Sequence, residues 1–152
     1  MLDGLDGFTH VSFEPVTLAG CDGDSHEFHF QTRLLGDSLA LDAFELCDGF
    51  RDGFQFQVIG DPEADLWDLF GRLMAKMRRA LSVKHVVSGD YGLEIAERVV
   101  RGRIGWDSEC DGRVPLVIVD GRELSWDDLG RMLMTFEGWQ FRLEIRDMSE
   151  EV

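Results

Sequence analysis

The sequence has few of the features that mark secreted, membrane-spanning or disulfide-bonded proteins. Its three cysteines, Cys21, Cys47 and Cys110, are an odd number without a CxxC spacing, which indicates free thiols in a reducing cytoplasm. No apolar run approaches the roughly 18 residues of a transmembrane helix. The opening stretch, MLDGLDGFTH, lacks the basic start and the apolar core of a signal peptide. We therefore expect a cytoplasmic protein that does not enter a membrane.

Recognisable catalytic motifs are also missing. The sequence has no P-loop, no glycine fingerprint for a dinucleotide, no nucleophile elbow and no calcium loop of alternating aspartates. We therefore assign no catalytic residues and expect no cofactor. The sequence favours a protein that is not an enzyme, and an enzyme is an alternative that no motif supports.

Negative charge dominates the composition. Acidic residues outnumber basic ones 30 to 15, which gives a net charge of −15. Phosphate backbones repel such a surface, so binding to duplex nucleic acid is not expected. The acids are spread from Asp3 to Glu151, as is typical of a surface that keeps a protein in solution. The charge favours a basic protein as the partner, and a homo-oligomer is also compatible with it.

Alternating apolar and polar residues predict strands in the first third of the chain. One face of HEFHFQTRLL carries Phe28, Phe30, Thr32 and Leu34, which is the pattern of a half-buried antiparallel strand. SLALDAFEL and FQFQVIG predict two more strands, with the loop CDGFRDG (residues 47–53) between them.

Two amphipathic helices are predicted, over about residues 62–82 and 126–137. Asp61 is the expected N-cap of the first helix, and Ser125 with Asp128 predicts a capping box at the second. The first helix repeats apolar residues at helical spacing: Leu66, Phe70, Leu73, Met74, Met77 and Leu81. The second is expected to bury Leu129, Met132, Leu133 and Phe136.

Strands are also predicted around the second helix. Asp120-Gly121 separates two short extended runs, which is a strong signal for a tight hairpin. The final alternating stretch, WQFRLEIRD, predicts a strand whose inward face carries Trp139, Phe141, Leu143 and Ile145. Most of the apolar groups of GRMLMTFEGWQF (residues 130–141) are thus expected in the core.

A further long strand is predicted over residues 93–106, with Ile104 and Trp106 facing inward, and a helix over residues 93–100 is the alternative. The elements together predict an α+β fold with antiparallel sheets and two main helices. Both halves contain similar heptapeptides, DLFGRLM and DLGRMLM, which is compatible with one domain or with two similar strand–helix lobes. The expected divisions are a flexible start (residues 1–7), an N-terminal lobe (8–87), a C-terminal lobe (93–147) and an acidic tail (148–152).

The C-terminal third resembles an uncharacterised bacterial domain family. The resemblance lies in a motif of the type DGRE–SW–GRMLMTFEGWQF, and RLLGDSLALDAFEL, FQFQVIGDPEADL, KMRRALSVKH and VVRGRIGW are similar to the same family. It covers roughly residues 26–150. It implies a small soluble bacterial protein without a known activity, so no catalytic residues can be carried over.

The stretch CDGDSHEFH contains residue types that bind zinc. Cys21, His26 and His29 offer one thiol and two imidazoles. The two histidines are three positions apart on a predicted strand, so their side chains point to opposite faces. We therefore expect no bound metal.

Basic residues cluster in two places, and either cluster could contact an anion or a partner. The first contains Arg78, Arg79 and Lys84, and the second contains Arg101 and Arg103. Complementation of the helix dipole and salt bridges to the many acids are the structural alternative. Unpaired arginines in the folded protein would favour a binding role.

Two functions are compatible with these patterns. The favoured one is a small acidic protein-interaction module, acting as a regulator or inhibitor of an unknown protein. The alternative is a small-molecule-binding or enzymatic domain with a pocket between the two lobes. Unpaired arginine or histidine in a deep cleft would favour the pocket, and a flat apolar or acidic patch would favour the interaction module.

The net charge makes one prediction directly. The protein should not shift duplex DNA in a mobility assay at physiological salt, because binding would bring like charges together. A shift at sub-micromolar protein that resists competitor polyanion would contradict this.

Overall fold

The computed structural model of the chain describes residues 13–151 and confirms the predicted α+β fold with antiparallel sheets. The predicted flexible start (residues 1–7) and the last residue of the predicted acidic tail lie outside the described residues. The strands are β1 (Val16–Ala19), β2 (Ser25–Leu35), β3 (Ser38–Cys47), β4 (Phe50–Gly60), β5 (Val86–Gly89), β6 (Gly92–Ile95), β7 (Gly102–Trp106), β8 (Pro115–Val119) and β9 (Arg122–Leu124). The helices are α1 (Leu66–Leu81) and α2 (Trp126–Leu133), with short 3-10 helices at Ser108–Cys110 and Met134–Phe136.

Strands β1 to β4 form a four-stranded antiparallel meander. The loop predicted over residues 47–53 is wrong, because β3 runs to Cys47 and β4 already begins at Phe50. Asp48 and Gly49 make the turn between them with φ values of 52° and 82°. Two left-handed residues give the tight turn that suits the twist of a hairpin, and Asp-Gly tolerates them.

Helix α1 packs on one face of this meander and builds the main core. The helix begins one turn later than predicted: Asp65 is its N-cap and accepts a hydrogen bond from the Trp67 amide at 2.9 Å. Asp61 instead accepts from the Glu63 amide in a turn before the helix. The buried core residues are Phe28, Leu39, Leu41, Ala43, Phe56, Val58, Leu69, Leu73, Met74, Met77 and Leu81. No helix within residues 13–151 combines the length and the apolar character needed to cross a bilayer.

The burial of two residues differs from the prediction. Leu69 is buried although the predicted stripe of α1 omitted it, and Leu34, predicted inward, is exposed. Leu34 lies beside the hairpin that joins β2 to β3, at the end of its strand. Its cross-strand neighbour Leu39 is buried, so α1 covers β3 at this end of the sheet and leaves β2 exposed, which alternation alone does not reveal.

The C-terminal half contains two small sheets, the β5–β6 hairpin and the three-stranded sheet β7–β8–β9. The single strand predicted over residues 93–106 is wrong, as is the helix alternative over 93–100. Strand β6 ends at Ile95, residues 96–101 are irregular, and β7 begins at Gly102. The prediction extended the alternation of apolar and polar residues through residues 96–101, although β6 and β7 belong to different sheets.

Helix α2 begins as predicted and ends early. Ser125 Oγ accepts from the Asp128 amide at 3.0 Å, and Asp128 Oδ2 accepts from the Ser125 amide at 3.1 Å, so the capping box is confirmed. The helix has only 8 residues. The 3-10 turn that follows replaces the rest of the helix predicted over residues 126–137.

A second, smaller core lies under α2. Met132 is buried there with Val119, Leu124 and Val86. Leu133, which was predicted to share this face, is about half exposed. Eight residues form little more than two turns, so α2 covers only a small patch of the sheet.

The last predicted strand does not form. No described strand pairs with residues 139–147. Trp139, Phe141, Leu143 and Ile145 were predicted inward, but they are exposed by 56, 90, 77 and 70% respectively. The prediction failed because alternation supplies an apolar face but neither a neighbouring strand nor a layer to cover that face.

The turn between β8 and β9 secures the start of β5. Asp120 and Gly121 adopt the predicted left-handed conformation, with φ of 55° and 74°. Asp120 Oδ2 accepts hydrogen bonds from the backbone amides of His85 at 2.8 Å and Val86 at 3.0 Å. One carboxylate oxygen therefore satisfies two donors that would otherwise lack a partner at the start of the hairpin.

Replacement of this carboxylate should destabilise the fold. We expect Asp120→Ala to lower the free energy of unfolding by about 2–3 kcal/mol, because two half-buried amides lose a charged acceptor. Asp120→Asn should lower the free energy of unfolding by a smaller amount, since asparagine tolerates positive φ and retains one side-chain oxygen. Urea denaturation measures both changes, and equal midpoints for Asp120→Ala and the unmodified protein would contradict the role of the carboxylate.

Candidate interaction surface

The C-terminal segment, defined as residues 139–147, runs without a helix, turn or bend. Within residues 13–151, the backbone N–H and C=O groups of residues 140–146 have no hydrogen-bond partner. Apolar side chains alternate with polar ones along it. It therefore combines an unpaired backbone with an exposed apolar face, which is the arrangement by which another strand can be added.

Trp139 anchors the start of the C-terminal segment. Its ring lies edge-to-face with Phe136 at a centroid distance of 5.3 Å. The guanidinium carbon of Arg98 lies 4.9 Å from the ring centroid, within the range of a cation–π contact. The Trp139 amide also donates to the Phe136 carbonyl at 2.9 Å. These contacts fix where the segment leaves α2.

Lys76 of α1 anchors the other end. Its Nζ donates to the carbonyl oxygens of Gln57 at 2.9 Å, Met148 at 2.8 Å and Glu150 at 3.1 Å. Burial lowers the pKa of Lys76 from its ordinary value, since desolvation penalises the charged form. The three carbonyl oxygens replace the lost water. The C-terminal segment is thus held at both ends and exposed between them.

Strand β7 adds exposed apolar surface at the edge of its sheet, because it pairs only with β8. Ile104 and Trp106, predicted to face the core, are 66% and 70% exposed. They share a sheet face with Val119, which is buried under Met132 of α2. Helix α2 does not cover β7, so the side chains of Ile104 and Trp106 remain exposed to water.

The first predicted basic cluster is partly neutralised. Arg79 forms an ion pair with Glu151, and Lys84 Nζ lies 3.0 Å from Asp22 Oδ2. Arg78 is exposed and has no ion pair within the described part of the chain. Two of the three bases therefore follow the structural alternative, in which they pair with acids of the same chain.

The second basic cluster is split between two environments. Arg103 is half-buried and donates from Nη2 to the Gly53 carbonyl at 3.1 Å, and burial lowers its pKa. Arg101 is exposed, without an ion pair to any residue from 13 to 151. Arg103 therefore joins β7 to β4, whereas Arg101 is free for a partner.

The zinc candidates are not brought together. His26 Nδ1 lies 2.9 Å from Glu45 Oε1, and His29 Nε2 lies 3.3 Å from Glu27 Oε1. Cys21 is an exposed free thiol. Among the described residues, no group of three or more His, Cys, Asp or Glu side chains is placed to hold a metal ion.

A buried carboxylate that no sequence pattern predicted lies on the sheet face opposite α1. Asp42 is 3% exposed. It accepts from Arg33 Nε at 2.9 Å and Gln57 Nε2 at 3.0 Å, and Arg51 Nη1 is 3.7 Å away. The only signal was one acid inside the apolar run SLALDAF. Because its neighbours come from β2 and β4, we interpret Asp42 as a structural residue that links three strands rather than as a reactive group.

Two of the clefts in the described structure are small compared with ligand-binding sites. One, of about 10 Å³, is lined by residues that include Cys21, His26 and Lys84. The other, of about 90 Å³, lies between Leu39, Asp61 and the start of α1. Sites for small organic ligands usually measure about 300–1,000 Å³. Neither cleft approaches this size.

The Asp22–Lys84 pair makes a pH prediction. The hydrogen bond from Lys84 is the main reason that the pKa of Asp22 falls from 3.8 to about 2. Because this pKa is lowered on folding, the pair stabilises the fold above about pH 4, and this contribution is lost as the pH falls towards 2. Lys84→Met should return the Asp22 midpoint towards 3.8 in an NMR titration of the side-chain carboxyl carbon. An unchanged midpoint in the variant would show that Lys84 is not the cause.

Two successive stretches of the chain match known family models. Residues 9–82 match a family described as a domain of unknown function (DUF7686), and residues 85–150 match a second, also described as a domain of unknown function (DUF7713). No curated protein matches the chain. No solved structure matches it either. The predicted resemblance to an uncharacterised family is thus confirmed, but two domains of unknown function in succession take the place of the single family expected over roughly residues 26–150, and neither match brings an activity with it.

Proposed function

We propose that the protein is a protein-interaction module that binds its partner through the C-terminal segment (residues 139–147). The observation that carries the proposal is the coincidence of an exposed apolar face with a backbone that has no partner within residues 13–151. A strand added along this segment would provide hydrogen-bond partners for the backbone and would also cover the apolar face. Backbone hydrogen bonds would supply affinity, and contacts to alternate side chains would supply selectivity.

Burial of the exposed side chains would contribute to the free energy of binding. Full burial of a Phe, Leu or Ile side chain is worth about 1.5–3 kcal/mol. Phe141, Leu143 and Ile145 are each at least 70% exposed, so most of this free energy is still available. A contiguous apolar surface of this kind on a folded chain marks an interaction site.

The two anchors make the segment a better ligand than a free tail. Trp139 is fixed by Phe136 and Arg98, and the residues after 147 are fixed by Lys76. A segment that is already positioned loses less conformational entropy when a partner binds. The fold therefore acts as the frame that presents the segment.

A small-molecule or enzymatic pocket is the less favoured alternative. Such a site needs a concave space with convergent polar groups, and the cleft that contains His26 and Lys84 holds only about 10 Å³. Both side chains already pair with acids, Glu45 and Asp22. A flat apolar stretch is instead the surface that a protein partner recognises.

The cytoplasm is the proposed compartment. The support is that Cys21, Cys47 and Cys110 are all free, and that Cys21 and Cys47 are exposed. Exposed thiols persist in a reducing environment and pair or oxidise outside it.

Leu143→Asp should abolish partner binding without unfolding the protein. The side chain is 77% exposed, so the melting temperature should change by no more than about 2 °C, as for surface substitutions. The same change places an unpaired charge in any apolar interface. Pull-down from extracts of the source cell, read by mass spectrometry, compares the proteins retained by the variant and by the unmodified chain.

Gln140→Asp is the matched control, because it adds the same charge on the alternate face of the same segment. We expect it to retain the captured protein. Hydrogen exchange of amides 140–146 should slow when that protein is present. Equal capture by Leu143→Asp and the unmodified protein, or unprotected amides in the complex, would refute a role for the segment.

A further inference from the structure

We infer that the partner of the C-terminal segment is the same segment of a second copy of this chain, paired antiparallel about a two-fold axis at Leu143. The inference rests on the proposed function and identifies its partner. It follows from the order of charges and apolar groups along residues 139–147 together with their exposure.

The pairing centred on Leu143 matches every inner position with a suitable neighbour. It places Arg142 opposite Glu144 of the other copy, twice by symmetry. These contacts would replace the exposed ion pairs that Glu144 makes within its own chain, with Arg142 at 3.2 Å and with Arg146 at 3.5 Å. Phe141 faces Ile145 twice, and Leu143 faces its own counterpart. Opposite charges and aromatic–β-branched pairs are the cross-strand combinations that stabilise antiparallel strands. A two-fold interface has this self-complementary form.

Neighbouring alignments lack this match. An antiparallel pairing centred on Arg142 sets Arg142 against itself, and one centred on Glu144 sets Glu144 against itself and Arg142 against Arg146. A parallel pairing in register places identical charges side by side. Like charges directly opposite one another are destabilising. A shift by a single residue would place polar side chains opposite apolar ones.

Two larger shifts are also inferior. Centring on Phe141 leaves Arg142 opposite Gln140, so the pairing contains no opposite-charge contact. Centring on Ile145 sets Leu143 against Asp147, and a carboxylate would then lie inside the apolar row. The alignment on Leu143 combines complementary charge with an apolar row that runs through Phe141, Leu143 and Ile145, and it sets Asp147 opposite Trp139 only at the two ends.

The chain also has enough exposed apolar surface for a stable dimer. Each copy contributes Trp139, Phe141, Leu143 and Ile145, and β7 adds Ile104 and Trp106. A large aromatic side chain buries about 150–250 Å² when it is fully covered, so the three exposed aromatic side chains of each copy offer at most about 900–1,500 Å² in a dimer, which is of the order of the roughly 1,000 Å² expected of a biological interface. A two-stranded ribbon is marginal by itself, so the proposed dimer also requires that exposed apolar surface such as that of β7 packs against its face.

The net charge of −15 opposes association, but the C-terminal segment does not share it. The segment contains two arginines, Arg142 and Arg146, against the acids Glu144 and Asp147. Repulsion between the acidic bodies is screened beyond about 8 Å at physiological ionic strength. Contact at the segment therefore places balanced charge where the copies are closest.

Reversal of single charges tests the pairing. Analytical ultracentrifugation at physiological salt, up to about 100 µM protein, should find a dimer of the unmodified chain. Arg142→Glu and Glu144→Arg should each weaken it by about tenfold or more, because two attractive contacts become two repulsive ones. An equimolar mixture of the two variants should restore the dimer, since every cross-strand pair is then complementary. Restoration in the mixture cannot be explained by a simple loss of stability in either variant.

Cysteine cross-linking tests the axis independently. In a background with Cys21, Cys47 and Cys110 replaced by serine, Leu143→Cys should form a disulfide-linked dimer under mild oxidation. Its two β-carbons would lie opposite one another, where the Cα distance suits a disulfide. Ile145→Cys is the matched control: its two copies would be offset by four residues, about 13 Å along the strands, and should not cross-link.

The outcomes separate this inference from the proposed function. A monomer at all concentrations, unchanged association in both charge variants, or cross-linking of Ile145→Cys equal to that of Leu143→Cys would overturn the homodimer. If the chain is monomeric while Leu143→Asp still loses a captured protein, the interaction function stands with a different partner. If the dimer forms and depends on Arg142 and Glu144 as described, both are supported.

Discussion

One ammonium group determines the course of the last residues of the chain. Lys76 extends from α1 to the outer edge of β4 and binds carbonyl oxygens of Gln57, Met148 and Glu150. A cation that loses water on burial must gain oxygen ligands in return, and backbone carbonyls supply them without cancelling its charge. These oxygens come from the first sheet and from the chain end. The lysine therefore joins distant parts of the sequence, and together with the Arg79–Glu151 ion pair it holds the residues that follow the C-terminal segment to α1.

The exposed apolar surface has a simple origin in the unequal length of the two helices. Helix α1 has 16 residues and lies over a four-stranded sheet, whereas α2 has 8 residues beside a three-stranded one. The second helix packs over Val119 and Leu124 and over the β5–β6 hairpin, and it leaves Ile104 and Trp106 of β7 exposed. The C-terminal half consequently contains more large apolar side chains than its own elements can cover, and the surplus lies on β7 and on residues 139–147.

Local chemistry predicted local structure well and distant pairing poorly. The capping box of Ser125 and Asp128 and the Asp120-Gly121 turn depend on neighbours in sequence, and both are confirmed. The start of α1 was misplaced because Asp61 and Asp65 are both good caps and only packing decides between them. The C-terminal segment was recognised by its alternation, but its burial was predicted wrongly. Alternation specifies which side chains share a face, whereas pairing depends on a strand elsewhere in the fold, or in another molecule. The Asp42 cluster went unpredicted for the same reason, since its partners lie on two other strands.

The anchored, unpaired C-terminal segment also bears on colloidal behaviour. A strand has two edges, and the proposed two-fold pair uses one edge from each copy, so the outer edges remain open to further chains. Each added chain brings a net charge of −15, and the repulsion between chains limits growth at neutral pH. This restraint disappears near the isoelectric point of about 4.5. The acidic composition thus opposes fibril formation through electrostatic repulsion. Acidification removes this repulsion, while the unpaired edge of the C-terminal segment remains.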